Sequence, residues 1–165
     1  MDVKLDLATP DDAAAIASLQ TAVAEHLALR HGKGYWSSAA SERGVLFQMR
    51  TGKLYLARQE DRVIATLRLA TKKPWAIDKS YFSPCKRPLY LTDMAVAPDL
   101  QRAGIGRLCM EEVARIGRAW PADAVFLDAF DAEAGAGEFY RKCGFREVGR
   151  VTYRKTPLIY FERLL

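Results

Sequence analysis

One stretch, residues 89–120, constrains the fold of this 165-residue chain more than any other. It begins with LYLTDMAV, an apolar run of the length and character of a buried strand. A turn at residues 97–99 and a loop with two glycines at residues 101–106 follow. Apolar residues then recur on one helical face, until Pro121 ends the helix. That face comprises Ile105, Leu108, Val113, Ile116 and Trp120. The stretch predicts a buried strand, a glycine loop and an amphipathic helix in succession.

The charges at the start of this helix are unusual. Acidic side chains stabilise a helix N-terminus because they face the positive end of the helix dipole, yet residues 100–110 contain no carboxylate. Arg102 and Arg107 instead add positive charge, and Gly104 and Gly106 would let a ligand approach the backbone closely. The loop is therefore suited to an anion, with a phosphate or pyrophosphate favoured. The alternative is a tight strand-to-helix turn that needs glycine only for its dihedral angles.

Two familiar phosphate-binding motifs do not fit this loop. It has no Gly-Lys-Ser/Thr, so it is not a P-loop, and Cys109 stands where a dinucleotide fold would have glycine. A dinucleotide fingerprint also belongs on the first strand of its βαβ unit, whereas this loop follows several predicted strands. The phosphate ligand must therefore belong to another class of protein.

Composition describes an ordinary globular chain. Half of the residues are apolar and 27% are charged, and the length suits one domain. No apolar run approaches membrane length, and the N-terminal MDVKLDL lacks the pattern of a signal peptide. We therefore expect a cytoplasmic protein with no membrane partner. The cysteines Cys85, Cys109 and Cys143 are an odd number without metal-ligand spacing, which predicts reduced thiols and no metal.

The net charge of +5 comes from 25 basic and 20 acidic residues. The basic residues are scattered and no nucleic-acid recognition motif accompanies them, so no nucleic-acid partner is expected. A phosphate-bearing cofactor accounts for part of the excess.

The remaining elements follow from hydrophobic periodicity and turn residues. Before the central stretch we predict a strand at 3–7, a helix that begins at 9–12 with an N-cap, a proline and acids and frays near 31–32, a loop at 32–40, a helix at 41–50, and strands at 53–58 and 62–70. After it we predict a strand at 124–130, a helix at 133–143 capped by Gly144, and strands at 145–151 and 158–164. Together they predict a mixed α/β (α+β) single domain, residues 1–165, with about seven strands in a mixed sheet and about four helices.

The segment 71–88 departs from this regular pattern, with three prolines, three aromatic residues and four lysines. Long loops in compact domains are usually functional or mobile. We interpret it as a flap over a substrate cleft, and the alternative is a solvated excursion pinned by its aromatic residues. Its candidate contacts are Trp75, Asp78, Tyr81 and Phe82; from the earlier loop we add Tyr35 and Trp36.

Two separated motifs resemble those of one family. Residues 101–106, QRAGIG, resemble the Gln/Arg-x-x-Gly-x-Gly/Ala acyl-CoA pyrophosphate loop of the GNAT superfamily of N-acetyltransferases. Some thirty residues on, FYRKCGF at 139–145 is similar to the superfamily's aromatic-Tyr-x-Lys-x-Gly-Phe signature. The predicted order of strands and helices matches the superfamily over nearly the whole chain. The resemblance implies an enzyme that moves an acetyl group from acetyl-CoA to a primary amine.

The resemblance also implies which residues hold acetyl-CoA. The backbone of the central strand's end would pair with the pantetheine arm as a sheet edge does, and the loop amides would hold the pyrophosphate. Tyr140 occupies the position of a tyrosine near the thioester sulfur. The implied cofactor contacts are Met94, Ala95, Val96, Gln101, Arg102, Ala103, Gly104, Ile105, Gly106, Arg107 and Tyr140.

Direct attack by a neutral amine requires an oxyanion contact, a proton donor and a proton acceptor. The backbone N–H near Met94 can supply the first. Tyr140 is the predicted general acid, because a phenol keeps its proton at neutral pH; its alternative is a core aromatic. Asp93 is the predicted general base, and its alternative is a structural hydrogen-bond acceptor. Thr92, Asp128, Asp131 and a water relay compete for the role of base.

The acceptor stays open at this point: a polyamine, an amino acid, an antibiotic, or a protein N-terminus or lysine. Its selectivity would lie in residues 31–50 and 71–88. The net-basic surface mildly disfavours a polycation, although Glu25, Glu42 and Asp78 could create a local exception. The expected partners are a small-molecule or peptide amine and, as an open alternative, a second copy of the chain. Two further alternatives are a CoA-sensing module without turnover and a nucleic-acid-binding protein.

Overall fold

The fold is a mixed sheet with helices, described by a computed structural model for residues 2–34 and 40–165. Within these residues seven strands form one sheet in the order β1-β2-β3-β4-β5-β7-β6. The strands are β1 (Asp6–Leu7), β2 (Lys53–Gln59), β3 (Arg62–Ala70), β4 (Pro88–Val96), β5 (Ala124–Phe130), β6 (Arg146–Tyr153) and β7 (Thr156–Leu164); the helices are α1 (Ala13–His31), α2 (Glu42–Thr51), α3 (Ile105–Ala119) and α4 (Gly137–Lys142). The predicted seven-stranded mixed α/β fold with four helices is confirmed.

The chain groups into two compact units. Unit 1 comprises Met1–Leu69 and Thr92–Glu112, and unit 2 comprises Ala70–Leu91 and Val113–Leu165. The boundaries fall inside β4 and α3, so both elements contribute residues to each unit. The single domain over residues 1–165 stays a prediction.

The core of unit 1 forms between α1, α2 and β2. One face of α1 is apolar at a helical spacing, and it is buried against the first strand of the β2–β3 hairpin. The buried members are Ala13, Ile16, Ala17, Val45, Leu54 and Leu56. The hairpin is antiparallel, with Lys53 opposite Leu69, and Glu60 in its turn has a φ of 56°. Helix α2 begins after Ser41, whose side chain accepts a hydrogen bond from the Gly44 amide.

Strand β1 is shorter than predicted. Only Asp6–Leu7 pairs with β2, whereas the alternation of residues 3–7 predicted five strand residues. The Leu5 amide donates to the Glu112 carboxylate of α3 at 3.1 Å, so this donor is satisfied by a side chain rather than by a neighbouring strand.

The core of unit 2 is aromatic. Strand β5 pairs in parallel with β4 at Pro88–Tyr90 and antiparallel with β7 along its whole length, which buries β5. Phe82 stacks on Phe126 with ring centroids 4.3 Å apart. The buried cluster comprises Ile77, Phe82, Tyr90, Ala124, Phe126 and Tyr160.

Helix α4 begins at Gly137, four residues later than the predicted start at residue 133. The preceding glycine-rich segment is a turn, in which the Gly135 amide donates to the Ala132 carbonyl at 2.9 Å. A Cβ on Gly135 would lie 1.8 Å from the Phe130 carbonyl oxygen. The glycine is therefore required by close backbone approach, and the prediction of helix there was wrong.

The turn between β6 and β7 is shorter than predicted. Strand β6 ends at Tyr153 and strand β7 begins at Thr156, which leaves a two-residue turn. Both turn residues, Arg154 and Lys155, have positive φ values of 48° and 69°. Two positive φ values give a turn whose twist matches that of the flanking strands, which allows the ladder to continue to its edge.

No helix in residues 2–34 and 40–165 has the length and apolar character needed to cross a membrane. Over the same residues, no group of three or more histidine, cysteine or acidic side chains could hold a metal ion.

Candidate active site

The second half of β4, in unit 1, carries the predicted base. Asp93 has a φ of 55°, which interrupts the extended conformation of the strand. A short polar side chain tolerates this left-handed region better than a branched one does. Its neighbours Thr92 and Met94 are half-buried, Ala95 is buried, and Asp93 itself is exposed. The interruption therefore leaves the Asp93 carboxylate accessible to a ligand.

Asp93 has a perturbed carboxyl group. Although the residue is exposed, desolvation by the surrounding protein raises the pKa of its carboxyl above the ordinary value. The hydrogen bond from the Thr92 hydroxyl and the charge of Arg68 act in the opposite direction and lower that pKa. The net direction is upward, which is the direction that suits a carboxylate to the predicted role of general base.

Arg68 of β3 supports this end of β4. Its Nη1 donates to Thr92 Oγ1 at 3.2 Å, and Thr92 Oγ1 lies 3.2 Å from Asp93 Oδ2. Sequence reasoning did not single out Arg68. The available signal was an arginine in the interior of the apolar strand RVIATLRLA, because an arginine enclosed in a sheet needs several hydrogen-bond acceptors.

The turn after β4 is held by contacts from β3. The Ala97 amide donates to the Ile64 carbonyl at 2.8 Å. Arg62 makes a bidentate pair with Asp99, at 2.9 Å from Nη1 to Oδ2 and 2.6 Å from Nη2 to Oδ1. These contacts fix the chain just before the glycine loop, although both members of the ion pair are exposed, so its contribution to stability is small.

The glycine loop itself leaves backbone donors available. Gln101 Nε2 donates to the Val96 carbonyl at 3.1 Å and closes the loop against the end of β4. Arg102 and Gly104 have positive φ values of 66° and 87°. In the described part of the chain, the amides at positions 102, 104, 105, 106 and 107 donate no hydrogen bond. Several unoccupied amides at a helix start form an anion-binding site.

The loop's side chains add to this positive potential. Arg102 and Arg107 are exposed, and the first turn of α3 has no acidic residue. A Cβ added at Gly104 would meet no atom within 4 Å, so the space beside the amides is open. The predicted anion site therefore has donors, charge and room, and all three lie within unit 1.

Two of the cysteines, Cys85 and Cys109, have thiols of raised pKa. Burial, together with the charge of Glu112, raises the pKa of the Cys109 thiol to about 12. Burial, followed by the charge of Asp123, also raises the pKa of Cys85. Both thiols keep their protons at neutral pH, and a protonated thiol is a poor nucleophile.

Tyr140 lies in unit 2, on α4, and is 7% exposed. Its ring makes edge contacts with Phe139 and Phe145, at centroid distances of 5.1 and 5.5 Å, and a tilted contact with Phe161 at 6.1 Å. Gly144, with a φ of 84°, ends the helix as predicted. The aromatic cluster fixes the position of the ring, and its role as a general acid stays a prediction.

The competing acids lie in unit 2. Asp131 accepts from Arg150 Nη1 at 3.4 Å, so its carboxylate is committed to an ion pair. Burial raises the pKa of Asp128, on β5. Thr92, the fourth candidate, is a hydrogen-bond donor to Asp93.

The predicted substrate contacts have different surroundings. Tyr35 and Trp36 lie outside the described residues. Trp75 is 84% exposed and Tyr81 is 45% exposed, with the Tyr81 ring edge against Tyr160 at 5.5 Å. Phe82 is 5% exposed and belongs to the core of unit 2, which argues against its predicted contact with substrate.

The segment 71–88 is anchored to β7 within unit 2. The Tyr160 hydroxyl accepts from the Asp78 amide at 3.0 Å and donates to the Ala76 carbonyl. Glu162 accepts from the Ser83 amide at 2.7 Å and from the Ser83 hydroxyl at 2.6 Å. These anchors favour the pinned loop over the flap.

Glu162 is a residue that sequence reasoning missed. It is 2% exposed, and burial acts to raise its pKa, yet the hydrogen bonds from Ser83 and Arg146 outweigh burial and leave the pKa lowered. The signal was a single carboxylate in the apolar strand TPLIYFERL, because a buried carboxylate requires donors from elsewhere in the chain.

A groove on α1 contains two of the three acids that could attract a polycation. Glu25 and Glu42 both line it, together with small side chains of α1 and Ala40. The groove lies in unit 1.

Three solved structures share the fold. A GNAT family acetyltransferase from Listeria monocytogenes 4b F2365 has a TM-score of 0.75 at 15% identity, covering 99% of this chain and 95% of the other. Ribosomal-protein-alanine N-acetyltransferase from Brucella melitensis has a TM-score of 0.73 at 16% identity, covering 98% and 99%. The Salmonella typhimurium protein yncA, solved with its cofactor acetyl-CoA, has a TM-score of 0.68 at 16% identity, covering 100% and 95%. At these identities the likeness establishes the fold.

Family membership comes from the sequence. No protein with a curated description matches the chain, but residues 21–145 match the acetyltransferase (GNAT) family. The match covers more than half of the chain and contains the glycine loop and the motif around Tyr140. The protein belongs to the GNAT acetyltransferase family.

Proposed function

We propose that this protein transfers the acetyl group of acetyl-CoA to a primary amine, with residues 1–165 acting as one catalytic domain. The observation that carries the proposal is the start of α3, where five backbone amides and two exposed arginines are available to an anion. The yncA structure with acetyl-CoA supports the identity of that anion. Acetyl-CoA supplies the acyl group as an activated thioester.

The proposed cofactor contacts divide between two parts of unit 1. The backbone groups of Met94, Ala95 and Val96, at the end of β4, would hold the pantetheine arm. The loop would hold the diphosphate through the amides at positions 102 and 104–107 and through the side chains of Arg102 and Arg107.

Asp93 is the proposed proton acceptor for the amine. Desolvation raises the pKa of its carboxyl, which brings it closer to the pKa of an amine and makes proton transfer more favourable. Only the ionised carboxylate can accept a proton, so activity should be lost as the pH falls through this raised pKa. We expect a pH-rate profile with an acid limb, and Asp93→Asn should abolish that limb together with most of the turnover. A profile unchanged by Asp93→Asn would exclude Asp93 as the base.

Tyr140 is the proposed proton donor that completes the reaction. Because a phenol keeps its proton at neutral pH, Tyr140→Phe should lower turnover by about 100-fold or more while leaving the affinity for acetyl-CoA within about twofold. A thiol-release assay would measure turnover, and calorimetric titration would measure the affinity for acetyl-CoA. Phe139→Leu, which alters the same aromatic cluster without removing a hydroxyl, is the control for packing. Equal losses in the two variants would assign Tyr140 to packing.

The test of the overall proposal is a thiol-release screen of the purified protein with acetyl-CoA against polyamines, amino acids, aminoglycosides and peptides. Release that depends on one class of amine would support the proposal and identify the acceptor. Tight binding of acetyl-CoA without release across the panel would instead favour a CoA-sensing module. A salt-dependent interaction with random duplex DNA that CoA does not displace would favour a nucleic-acid-binding protein.

A further inference from the structure

We propose that Arg68 is a positioning residue for Asp93 and acts through the hydroxyl of Thr92. The inference rests on the proposed role of Asp93 as the base. It adds Arg68, which the sequence did not identify, and gives Thr92 a role other than that of a competing base.

Arg68 is first anchored on the end of α2. Its Nε donates to the Gln48 carbonyl at 3.1 Å, and its Nη2 donates to the Thr51 carbonyl and, at 2.7 Å, to Thr51 Oγ1. The carbonyls of the last helical turn receive no hydrogen bond from an amide of the same helix, and they form the negative end of its dipole. The guanidinium therefore caps α2 and is held in one orientation.

The remaining contact determines the direction of the hydrogen bonds. A guanidinium has only donors, so Thr92 Oγ1 must accept from Arg68 Nη1 at 3.2 Å. The single hydroxyl hydrogen of Thr92 is then directed away from Arg68 and toward Asp93 Oδ2, also at 3.2 Å. Arg68 thus fixes which way the hydroxyl points.

The result is a carboxylate with two different oxygens. Oδ2 of Asp93 accepts from Thr92, whereas Oδ1 accepts no hydrogen bond from the described residues. Oδ1 is therefore the oxygen that faces an incoming proton. Among the described residues, the groups that act on this carboxyl are Thr92 from β4 and the positive charge of Arg68 from β3.

A purely structural role of Arg68 predicts a different effect of its loss on the titration of Asp93. If Arg68 served only to cap α2, its loss would lower stability without changing the titration of Asp93. If it positions Thr92, its loss also removes a donor and a charge that favour the ionised carboxylate, so the titration of Asp93 moves to higher pH. The midpoint of that titration separates the two roles.

The first measurement uses the ligand-free protein with ¹³C-labelled aspartate carboxyls. The Asp93 resonance is assigned by its loss in Asp93→Asn. We expect Thr92→Val and Arg68→Met to move the titration midpoint of Asp93 upward, and Thr92→Ser, which keeps the hydroxyl, to leave it in place. The control is Thr66→Val, which removes a buried hydroxyl donating to the Tyr55 carbonyl at 2.9 Å and should not move the midpoint. An unchanged midpoint in Thr92→Val would overturn the proposal even if Arg68→Met fails to fold.

The second measurement is the acid limb of the pH-rate profile, using acetyl-CoA and the amine that gives the fastest thiol release. The limb should move to higher pH in Thr92→Val, and the rate on that limb should fall about threefold for each half pH unit of movement. The limb in Thr66→Val should match that of the parent. A moved NMR titration with an unmoved acid limb would retain the positioning of Asp93 and reject Asp93 as the base, so the two failures are distinguishable. An unmoved NMR titration rejects the positioning itself.

Discussion

The starts of helices α1 and α3, both in unit 1, differ in the charge that lies near their first backbone amides. Each helix start has backbone amides with no partner inside the helix. Before α1, the Asp12 carboxylate accepts from the Thr9 amide at 2.8 Å and from the Thr9 hydroxyl at 3.3 Å, and Arg58 pairs with the same carboxylate. At α3, by contrast, the amides at positions 102 and 104–107 donate no hydrogen bond in the described part of the chain, and the exposed Arg102 and Arg107 lie beside them.

The difference separates a structural helix start from the proposed ligand site. Pro10, Asp11 and Asp12 form the short turn that leads into α1, where the acids place negative charge near the positive end of the helix dipole and so stabilise the fold. The start of α3 omits these features and keeps Gly104, whose φ of 87° and open surroundings suit close approach by a ligand. The start of α3 lacks the stabilising contribution of such acids, and a bound diphosphate would supply it by binding the folded state.

The largest expected effect is the loss of CoA affinity in Gly104→Val, which tests whether the start of α3 binds a ligand. A valine at a φ of 87° is strained, and its side chain would occupy the open space beside the amides. We expect affinity for CoA to fall by about 100-fold or more, measured by calorimetric titration. Gly32→Val is the matched control, because Gly32 also has a positive φ, 76°, and open surroundings, but lies at the end of α1. The same loss of affinity in both variants would trace the effect to general destabilisation.

A charge reversal at α3 should change binding and stability in opposite directions. Arg107→Glu places at α3 the kind of acid found at α1, so it should raise the free energy of unfolding by about 0.3–1 kcal/mol. It should also weaken CoA binding roughly tenfold or more, with a smaller loss at high salt. Arg118→Glu, at the C-terminal end of the same helix, is the control. There the acid meets the negative end of the dipole, so stability should fall and CoA affinity should be unchanged. Loss of both stability and affinity in Arg107→Glu would contradict the dipole argument.

The smallest expected effect lies at α1. Asp12→Ala removes the acceptor of the Thr9 donors and the partner of Arg58, and should lower the free energy of unfolding by about 1 kcal/mol. Urea denaturation measures this loss, and CoA affinity should remain that of the parent. A weakened CoA affinity in Asp12→Ala would show that the two helix starts are not independent.

Much of the fold was predictable because its signals are local. Strand β3 and strand β5 have the bounds that the sequence predicts, Arg62–Ala70 and Ala124–Phe130, because their ends coincide with turn residues. Errors arose where a distant atom decided the local structure. The Glu112 carboxylate satisfied a donor that was assigned to a longer β1, 107 positions away in the chain. At Gly135 the close approach of the Phe130 carbonyl requires a glycine, and a turn takes the place of the predicted helix.

The candidate site divides in the same way. The anion loop was predictable because its glycines, arginines and lack of acids are adjacent in sequence. Asp93 was named as one of several acids, and its environment could not be derived from period-two alternation, because a φ of 55° breaks that alternation. The interpretation of segment 71–88 as a flap could not take account of its anchors, because Tyr160 and Glu162 lie on the last strand, about 80 residues away in the chain.

The sequence by itself determined the family, the order of strands and helices and the cationic, glycine-containing start of α3, since each depends on residues close together in the chain. Only the tertiary structure decided how the Asp93 carboxylate is oriented and that the loop before β4 is fastened to β7. The Arg68–Thr92 bond joins residues 24 positions apart and the Ser83–Glu162 bonds join residues 79 apart. A hydrogen bond depends on distances of about 3 Å and on donor direction, and no spacing along the chain encodes either quantity across such separations.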